Sequence, residues 1–249
     1  MIKFILVALS VVSFLIFSVP IVLWDQYVGK KNPEKCDWRS LRIVQFMFRL
    51  ILRISGVHIT VKGFENIPED RAVLYVGNHR SYFDILVGYA TVPGLTGFVA
   101  KKEMDRWPLL RTWMRKVHCL FLDRQNMKEG LKTILEGIEQ VKNGISVWIF
   151  PEGTRNRNED IMDKLSFKEG SLKIAEKSGC PVVPVAITGT AEIFEKQTPR
   201  VRSSNVTIEF GKPFIIKELE PEQKKFAGAY TQEQIKLLLQ KEKDIREGK

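Results

Sequence analysis

The sequence has few of the residues that build metal sites and disulfide frameworks. Among its 249 residues are three histidines and three cysteines, and neither an HExxH nor a CxxC pair occurs. We therefore expect no metal site and no disulfide framework. Free thiols are typical of a reducing compartment, which favours the cytosolic side of a membrane.

The sequence also lacks the short motifs of several large protein classes. There is no GxSxG nucleophile elbow, no GxxxxGK[ST] phosphate loop and no GxGxxG motif. The common serine hydrolases, P-loop nucleotide-binding proteins and dinucleotide-binding enzymes are therefore poor matches. Repeats are missing too, and 44% apolar with 27% charged residues is typical of a folded globular body.

Basic residues exceed acidic residues by 39 to 29, which gives a formal net charge of +10. A basic surface attracts nucleic acid, anionic lipid or acidic proteins, and charge alone does not choose among them. Residues 4–24 favour lipid, because they form a run of 21 residues without a charge. About 20 apolar residues are enough to cross the hydrocarbon core of a membrane.

The alternative for residues 4–24 is a cleaved signal peptide, since Lys3 gives a short basic start. The run is longer than the apolar region of about 7–15 residues in signal peptides, and no A-x-A-like site follows. We expect a retained membrane segment, in which Pro20 favours a kinked, dipping helix or half of a hairpin if it does not span. If it spans once, the basic residues after it place the rest of the chain in the cytoplasm. These residues are Lys30, Lys31, Lys35, Arg39 and Arg42.

Residues 38–54 predict an amphipathic helix. At 100° per residue its arginines fall within an arc of about 80°, and apolar residues cover most of the remaining surface. Such a helix lies in the membrane interface or packs on the protein body, and the pattern alone favours neither. We expect residues 1–55 to anchor the protein to a membrane and residues 56–249 to form the folded body.

From residue 58 onward, short apolar runs alternate with helical patterns. The predicted strands are 58–61, 72–76, 96–100, 117–122, 145–150, 182–187 and 206–210. The predicted helices are 82–90, 106–115, 128–142, 168–178 and 232–245. This alternation predicts an α/β fold, in which a mixed and largely parallel sheet is flanked by helices.

Polar clusters follow three of the predicted strands. Residues 78–80 follow the second strand, residues 123–124 the fourth and residues 151–155 the fifth. Ligands of open α/β sheets bind beyond the carboxyl ends of the strands. If these strands are parallel, the three clusters meet at one edge of the sheet, where we expect the functional site.

His79 and Asp84 are the candidate catalytic pair. A histidine that is held by a carboxylate takes a proton from a hydroxyl near neutral pH, as in the serine proteases. A substrate hydroxyl would then stand where the serine does. The alternative is structural, because Ser81 and Asp84 have the spacing of a helix capping box and His79 would be an ordinary turn residue.

The segment FPEGTR, residues 150–155, follows the fifth strand. Its proline and glycine favour a tight turn, and Arg155 would grip a phosphate with two hydrogen bonds. Arg124 offers a second guanidinium and Lys101 a further charge, although lysine runs are usually solvated. Glu152 would orient Arg155 or bind a substrate hydroxyl. The alternative is a surface ion pair between Glu152 and Arg155, worth about 0–1 kcal/mol.

The segment Val183-Pro184-Val185 lies in the sixth predicted strand. Its apolar character predicts burial, and Pro184 favours an edge strand or a bulge because proline has no N–H for a sheet hydrogen bond. The segment would line an apolar groove, although packing in the core explains the same residues.

Four ordered blocks resemble the 1-acylglycerol-3-phosphate acyltransferase family of the bacterial type. The first block, residues 78–84, has its H-x4-D pattern, and the third, residues 150–155, has its FPEGTR pattern. The second block is residues 122–124 and the fourth is residues 183–185. The two patterns, in this order and at this interval, are specific for that family. The resemblance covers residues 57–215.

This resemblance implies a role for each matching position. His79 would be the general base and Asp84 its orienting partner. The phosphate of the acceptor would be bound by Arg124 and Arg155. The acceptor site would be shaped by Glu152, Gly153 and Thr154, and the acyl or donor pocket by Val183, Pro184 and Val185.

The resemblance also implies the reaction. A fatty acyl group would move from acyl-CoA or acyl-acyl carrier protein to the 2-hydroxyl of 1-acyl-sn-glycerol 3-phosphate (lysophosphatidic acid), giving phosphatidic acid without a cofactor or a metal. Backbone amides near the first block are candidates for holding the oxyanion. We expect the protein at the cell inner membrane, with its catalytic domain on the cytoplasmic side and in contact with anionic lipid.

Two other functions stay open. The shared blocks do not show positional specificity, so glycerol 3-phosphate or another lysolipid is an alternative acceptor. A basic module that binds nucleic acid or anionic lipid without catalysis would explain the charge and the apolar segment. It would not explain a His-Asp pair and two arginines at strand ends, so we expect no nucleic-acid partner.

Overall fold

The computed structural model describes residues 1–29, 31–163 and 165–248, so Lys30 of the basic set above lies outside it. The described residues contain a seven-stranded sheet. Its strands are β1 Val57–Lys62, β2 Leu74–Gly77, β3 Thr96–Lys101, β4 Leu120–Leu122, β5 Ser146–Ile149, β6 Val182–Thr188 and β7 Ser204–Phe210. The α-helices are α1 Ile2–Phe17, α2 Val19–Val28, α3 Pro33–Ser55, α4 Phe83–Thr91, α5 Pro108–Lys116, α6 Met127–Lys142, α7 Lys173–Ser178, α8 Pro221–Lys225 and α9 Ala227–Glu247.

The sheet has the strand order β1-β7-β6-β2-β5-β3-β4. All neighbouring strands are parallel except β6 and β7, which are antiparallel. One face packs against α3 and α4 around an aromatic core that includes Tyr75, Phe98 and Trp148. The other face packs against α6, α7 and α9 through residues such as Leu74 and Ile235. The predicted mixed, largely parallel α/β fold is therefore confirmed.

Two predicted elements are shorter than expected. The strand predicted over 117–122 is reduced to β4, because Val117 ends α5 and His118 has a φ of 58°. This left-handed conformation is incompatible with an extended strand. The helix predicted over 168–178 divides into a 3-10 turn, Glu169–Leu172, and the short α7.

Pro184 lies in the interior of the sheet, so the prediction of an edge strand is wrong. The alternative of a bulge agrees with the structure, because Val185 pairs with Phe210 but Val182 pairs with Phe214, which leaves one extra residue in the chain opposite Pro184. β6 pairs continuously with β2 on one side and pairs with β7 from Val185 onward on the other. The Pro184 carbonyl accepts a hydrogen bond from Gly211 N at 2.8 Å. The N and C=O of a strand residue point to the same side, so the Pro184 nitrogen, which has no hydrogen to donate, also faces the chain just beyond the end of β7.

The apolar amino-terminal segment forms two helices that break at Ser18. No single helix of the described part is long and apolar enough to cross a membrane. Helix α1 and the part of α2 up to Asp25 together have the length and composition of a membrane span, but they are bent by 40°. Pro20 lies in the first turn of α2 and prevents a continuous helix through the preceding turn, which explains the break. Trp113 Nε1 donates to the buried Ser18 hydroxyl at 2.8 Å, so the bend rests on α5.

Helix α3 packs on the body of the protein, as one of the two interpretations of residues 38–54 predicted. Gln45 is 1% exposed, and its side-chain amide donates to the carbonyls of Tyr89 at 3.0 Å and Val92 at 2.9 Å. Arg49 donates to the carbonyl of Ala90 at 2.8 Å. These bonds satisfy carbonyls at the end of α4 and join α3 to it. The domain boundary at residue 55 stays a prediction.

We expect Trp148→Ala to lower the free energy of unfolding by about 3–5 kcal/mol, because it empties the centre of the aromatic core. Trp148 is fully buried and stacks on Tyr75 and Phe98 at centroid distances of 5.1 Å and 5.0 Å. Denaturant unfolding of the detergent-solubilised protein measures the change. The matched control is Trp107→Ala, at a tryptophan that is 69% exposed, where we expect a change within about 0.5 kcal/mol. Equal losses in the two variants would contradict this description of the core.

Candidate active site

The carboxyl ends of β2, β5, β3 and β4 lie at one edge of the sheet, because these strands are parallel. The three predicted polar clusters therefore share this edge. The clusters after β2 and β5 are adjacent, whereas β4 lies three strands from β2, or about 14 Å at the usual strand spacing. The centre of the site is formed by the segments after β2 and β5, and Arg124 lies towards its periphery.

His79 and Asp84 form a hydrogen-bonded pair directly after β2. His79 Nδ1 lies 2.9 Å from Asp84 Oδ2, and the two side chains are 15% and 0% exposed. An ionised carboxylate only accepts hydrogen bonds, so Nδ1 is the donor of this pair, and in the neutral imidazole the lone pair then lies on Nε2. The imidazole stacks on Phe150, with centroids 4.2 Å apart and planes inclined by 13°, which fixes the orientation of the ring. The pair has the arrangement of a general base with an orienting carboxylate.

The buried Asp84 carboxylate has three further donors. Oδ2 accepts from the backbone N–H groups of Arg80 at 2.7 Å and Ser81 at 2.8 Å, and Oδ1 accepts from Thr190 Oγ1 at 2.5 Å. The bond from Ser81 N is one that a capping-box carboxylate accepts. The capping interpretation and the histidine-orienting interpretation of Asp84 are therefore both compatible with the structure.

The backbone amides of residues 79–83 already have acceptors. The amide of His79 donates to Glu152 Oε1 at 3.1 Å, and that of Tyr82 donates to Glu195 Oε1 at 2.9 Å. The amide of Phe83 donates to the Ser81 hydroxyl, and the amides of Arg80 and Ser81 donate to Asp84. These five amides are therefore engaged within the protein, and the prediction that amides near the first block hold an oxyanion stays a prediction.

The loop after β5 is hydrogen-bonded to both the backbone N–H and the backbone C=O of His79. Glu152, 4% exposed, accepts from the His79 amide, and Asn156 N donates to the His79 carbonyl at 2.7 Å. Gly153 has a φ of 70°, and an added Cβ would lie 3.1 Å from the side chain of Lys168. A side chain at Gly153 would therefore be strained, and the loop that carries it is fixed against the candidate base.

Arg155 contacts Tyr82 and Glu195 instead of Glu152. Its NH1 lies 3.2 Å from Glu195 Oε1, and its NH2 donates to the Tyr82 hydroxyl at 3.1 Å. The guanidinium also lies over the Tyr82 ring, 3.8 Å from its centroid. Glu152 is buried and forms no ion pair with Arg155, so the alternative of a surface pair between them is wrong, whereas the predicted role of Glu152 in the acceptor site stays a prediction.

The remaining predicted acceptor ligands are exposed on the same edge. They are Arg124, Lys101 and Thr154. Lys101 pairs with Glu103 at 3.3 Å, and the neighbouring Lys102 pairs with Asp123 at 2.9 Å. Hydrogen bonds from Lys102 and from a backbone amide lower the pKa of Asp123. Asp123 therefore binds its neighbours, and the roles of the three exposed residues in binding an acceptor stay predictions.

An open groove of ≈ 850 Å³ lies beside Arg155. Its cationic lining residues are Arg80, Arg155, Arg157 and Lys196. Glu159 and Glu195 are its acidic lining residues, so the charge of the lining favours an anion. Tyr82 and Phe194 add aromatic walls.

The segment Val183-Pro184-Val185 is buried in the sheet. Val183 and Val185 are 0% exposed and belong to the aromatic core with Tyr75 and Trp148. This placement agrees with the core-packing alternative. The role of the segment in an acyl or donor pocket stays a prediction.

Thr190 and Glu195 are functional candidates that the sequence analysis missed. Both follow β6, which is parallel to β2, so the rule of strand ends that found the other clusters also applies to them. Asn78 was noted only as part of its block. Its side-chain amide exchanges two hydrogen bonds, of 2.9 Å and 2.8 Å, with the backbone of Ile187 in β6.

Comparison with known proteins gives consistent relatives. Residues 58–188 match a family model described as Acyltransferase. A 1-acyl-sn-glycerol-3-phosphate acyltransferase of Cocos nucifera is 32% identical over 88% of this chain and 72% of its own length. One from Saccharomyces cerevisiae is 30% identical over 76% of this chain, and the match spans 60% of that protein.

A solved structure is similar over nearly the whole chain. The crystal structure of the 1-acyl-sn-glycerophosphate (LPA) acyltransferase PlsC from Thermotoga maritima superposes with a TM-score of 0.81 and 27% identity. The match covers 97% of this chain and 95% of that one, so it includes the amino-terminal helices as well as the sheet. In the present chain the H-x4-D segment follows β2 and the FPEGTR segment follows β5, and the two form the centre of the candidate site. The chain therefore belongs to the 1-acyl-sn-glycerol-3-phosphate acyltransferase family.

Proposed function

We propose that this protein transfers a fatty acyl group from an acyl thioester to the 2-hydroxyl of 1-acyl-sn-glycerol 3-phosphate, giving phosphatidic acid. The observation that carries the proposal is the pair of His79 and Asp84, with Nδ1 2.9 Å from Oδ2, beside a cationic groove. A base and an anion site are the two parts that acylation of a phosphate-bearing alcohol requires. Family membership supports the same reaction.

His79 would act through its Nε2. This nitrogen takes the proton of the acceptor hydroxyl as the oxygen attacks the carbonyl carbon of the thioester. Asp84 stabilises the imidazolium that forms. When the tetrahedral intermediate collapses, the C–S bond breaks and the imidazolium returns the proton to the thiolate. The hydroxyl attacks directly, so the reaction needs no acyl-enzyme.

Arg155 would bind the phosphate of the acceptor, because it lies in the cationic groove next to the histidine segment. Arg124 and Lys101 would contribute from the outer part of the sheet edge. Charge-assisted hydrogen bonds are worth about 1.5–3 kcal/mol each, so one guanidinium is enough to favour a phosphorylated acceptor. The donor would be acyl-CoA or acyl-acyl carrier protein, and the geometry of the described residues does not favour one carrier.

We further propose that the protein works at a membrane surface. The bent pair α1–α2 has the length and composition of a membrane segment, and it exposes large apolar side chains. Examples are Ile2, Leu9, Phe17, Leu23 and Trp24. A lipid acceptor would then reach the groove from the side of these helices. The proposed location is the cytoplasmic face of a cell inner membrane.

The proposed reaction is tested by transfer of labelled acyl chains from acyl-CoA and from acyl-acyl carrier protein to lysophosphatidic acid, with glycerol 3-phosphate as a parallel acceptor. Wild type should form phosphatidic acid. We expect His79→Ala to lower the rate by about 10²–10⁴-fold, because the general base is lost.

The control for His79→Ala is His58→Ala, at an exposed histidine of β1, which should keep wild-type activity. Trapping of an acyl-enzyme in a single turnover would contradict direct attack by the hydroxyl. If wild type acylates glycerol 3-phosphate and not lysophosphatidic acid, glycerol 3-phosphate is the acceptor and the proposed acceptor is wrong.

We expect Thr190→Val to lower kcat about tenfold to a hundredfold with KM nearly unchanged, because a hydrogen bond to the charged Asp84 is lost. Thr190→Ser keeps the hydroxyl and should restore most of the rate. Steady-state kinetics with lysophosphatidic acid measure both variants. If Thr190→Val keeps the wild-type kcat, the backbone donors alone hold Asp84 in place.

We expect Phe17→Asp to weaken binding to anionic vesicles by about tenfold or more, since it replaces an apolar side chain that would enter the lipid with a charge. Phe17 is 77% exposed. Flotation of the full-length protein with vesicles measures the change. The control is Leu237→Asp at a leucine of α9 that is 56% exposed, and equal effects of the two changes would refute a membrane surface on α1.

A further inference from the structure

The positive charge of Arg155 is matched inside the protein by Glu195. The two side chains are 22% and 16% exposed, and NH1 lies 3.2 Å from Oε1. The second nitrogen, NH2, donates to the Tyr82 hydroxyl, and the guanidinium lies over the Tyr82 ring. The cation proposed to bind the acceptor phosphate is therefore engaged by a carboxylate in the wall of the groove.

Glu195 is only partly satisfied by this arrangement. Its Oε1 is shared between Arg155 NH1 and the backbone amide of Tyr82, which lies 2.9 Å away at the start of α4. Its Oε2 is buried and has no hydrogen-bond partner among the residues that the structure describes. A buried carboxylate oxygen without a donor is costly. Arg155 is held by Glu195 through one contact of 3.2 Å, and the bond of Glu195 to the Tyr82 amide does not depend on Arg155.

The position of Glu195 places it where a lipid acceptor would enter. The preceding residue, Phe194, lines the groove and stacks on Phe4 of α1, with centroids 5.9 Å apart and planes inclined by 5°. Lys3 Nζ donates to Ser203 Oγ at 2.7 Å, which ties the start of α1 to the end of the same loop. A lipid that moves from the apolar helices into the groove therefore meets Glu195 and Arg155 together.

A phosphate monoester competes well for such an arginine. It carries about −1.5 to −2 charges at pH 7 and has three acceptor oxygens, so it forms a bidentate contact with a guanidinium. The Glu195 carboxylate carries one charge and makes one contact of 3.2 Å with Arg155. An acceptor with a single negative charge or none gains less than a phosphate monoester from displacing it.

We propose that Glu195 occupies Arg155 as an internal competitor of the acceptor phosphate and thereby selects phosphate monoesters. The inference rests on the proposed function, in which Arg155 binds that phosphate. Glu195 leaves Arg155 when the phosphate binds and keeps its bond to the Tyr82 amide. Neutral lysolipids and phosphodiesters do not displace it effectively, so they are poor ligands of the groove. Glu195 is thus a specificity-determining residue that sets the charge an acceptor must carry.

The test is binding of short-chain lysophosphatidic acid to the full-length protein without an acyl donor, measured by isothermal titration calorimetry. Glu195→Gln keeps the shape of the side chain and an acceptor for the Tyr82 amide, but removes the competing charge. It should bind lysophosphatidic acid about two- to fivefold more tightly than wild type, as expected when one partly exposed ion pair need no longer be broken. Binding of the matching monoacylglycerol should not change.

Two controls separate competition from a structural effect. Glu139→Gln removes a glutamate of α6 that pairs with Lys142 and is 65% exposed, away from the groove, and it should bind as wild type does. In an Arg155→Ala background Glu195→Gln should give no gain, because the effect passes through Arg155. Equal or weaker binding of lysophosphatidic acid by Glu195→Gln alone would overturn the proposal and make Glu195 a positioning residue for Arg155.

Transfer assays on the same preparations keep the two hypotheses apart. With acyl donor present, Glu195→Gln should lower KM for lysophosphatidic acid by the same factor and leave kcat within about twofold, because Glu195 does not touch the reacting atoms. Wild type that binds lysophosphatidic acid but makes no phosphatidic acid would refute the proposed function and leave the competition intact. Wild type that binds lysophosphatidic acid no better than monoacylglycerol would overturn the inference.

Discussion

The buried carboxylate of Asp84 is the constraint on which the rest of the site depends. A charge without surrounding water must be matched by hydrogen bonds, and four donors converge on it. Three of them come from the turn after β2 and the fourth from Thr190, beyond the end of β6. The carboxylate therefore joins two neighbouring turns and the start of α4. The hydrogen bond to Asp84 and the stacking on Phe150 fix the orientation of the His79 imidazole.

A second set of contacts attaches the loop after β5 to the same histidine. Glu152 holds the His79 amide, and Asn156 holds the His79 carbonyl. The loop continues into Arg155, whose guanidinium is placed by Tyr82 and Glu195. The candidate base and the candidate anion site are thus parts of one hydrogen-bonded assembly at the edge of the sheet. The assembly extends to the amino-terminal helices through the loop after β6, which relates the cationic groove to the apolar surface where a lipid would arrive.

The fold and part of the site could be predicted because their signals are local. Apolar runs bounded by polar turns found all seven strands, and the five-residue spacing of His79 and Asp84 lies within one strand-turn-helix unit. The errors arose where one residue overrides a pattern. The left-handed His118 shortened the fourth strand, and the end of β7 made room for Pro184 inside the sheet. The assumed partner of Arg155 was its sequence neighbour Glu152, whereas the structure supplies Glu195 from 40 residues away.

The sequence by itself determined the alternating α/β plan, the candidate base with its carboxylate, the arginines at strand ends and the apolar and basic character of the amino-terminal segment. Each of these depends on residue type and short spacing. Only the tertiary structure decided which side chains meet across long separations. Thr190 lies 106 residues from Asp84, and Trp113 lies 95 residues from Ser18. Such pairs are set by strand order and helix packing, and hydrogen bonds between them form only after the core has brought the elements together.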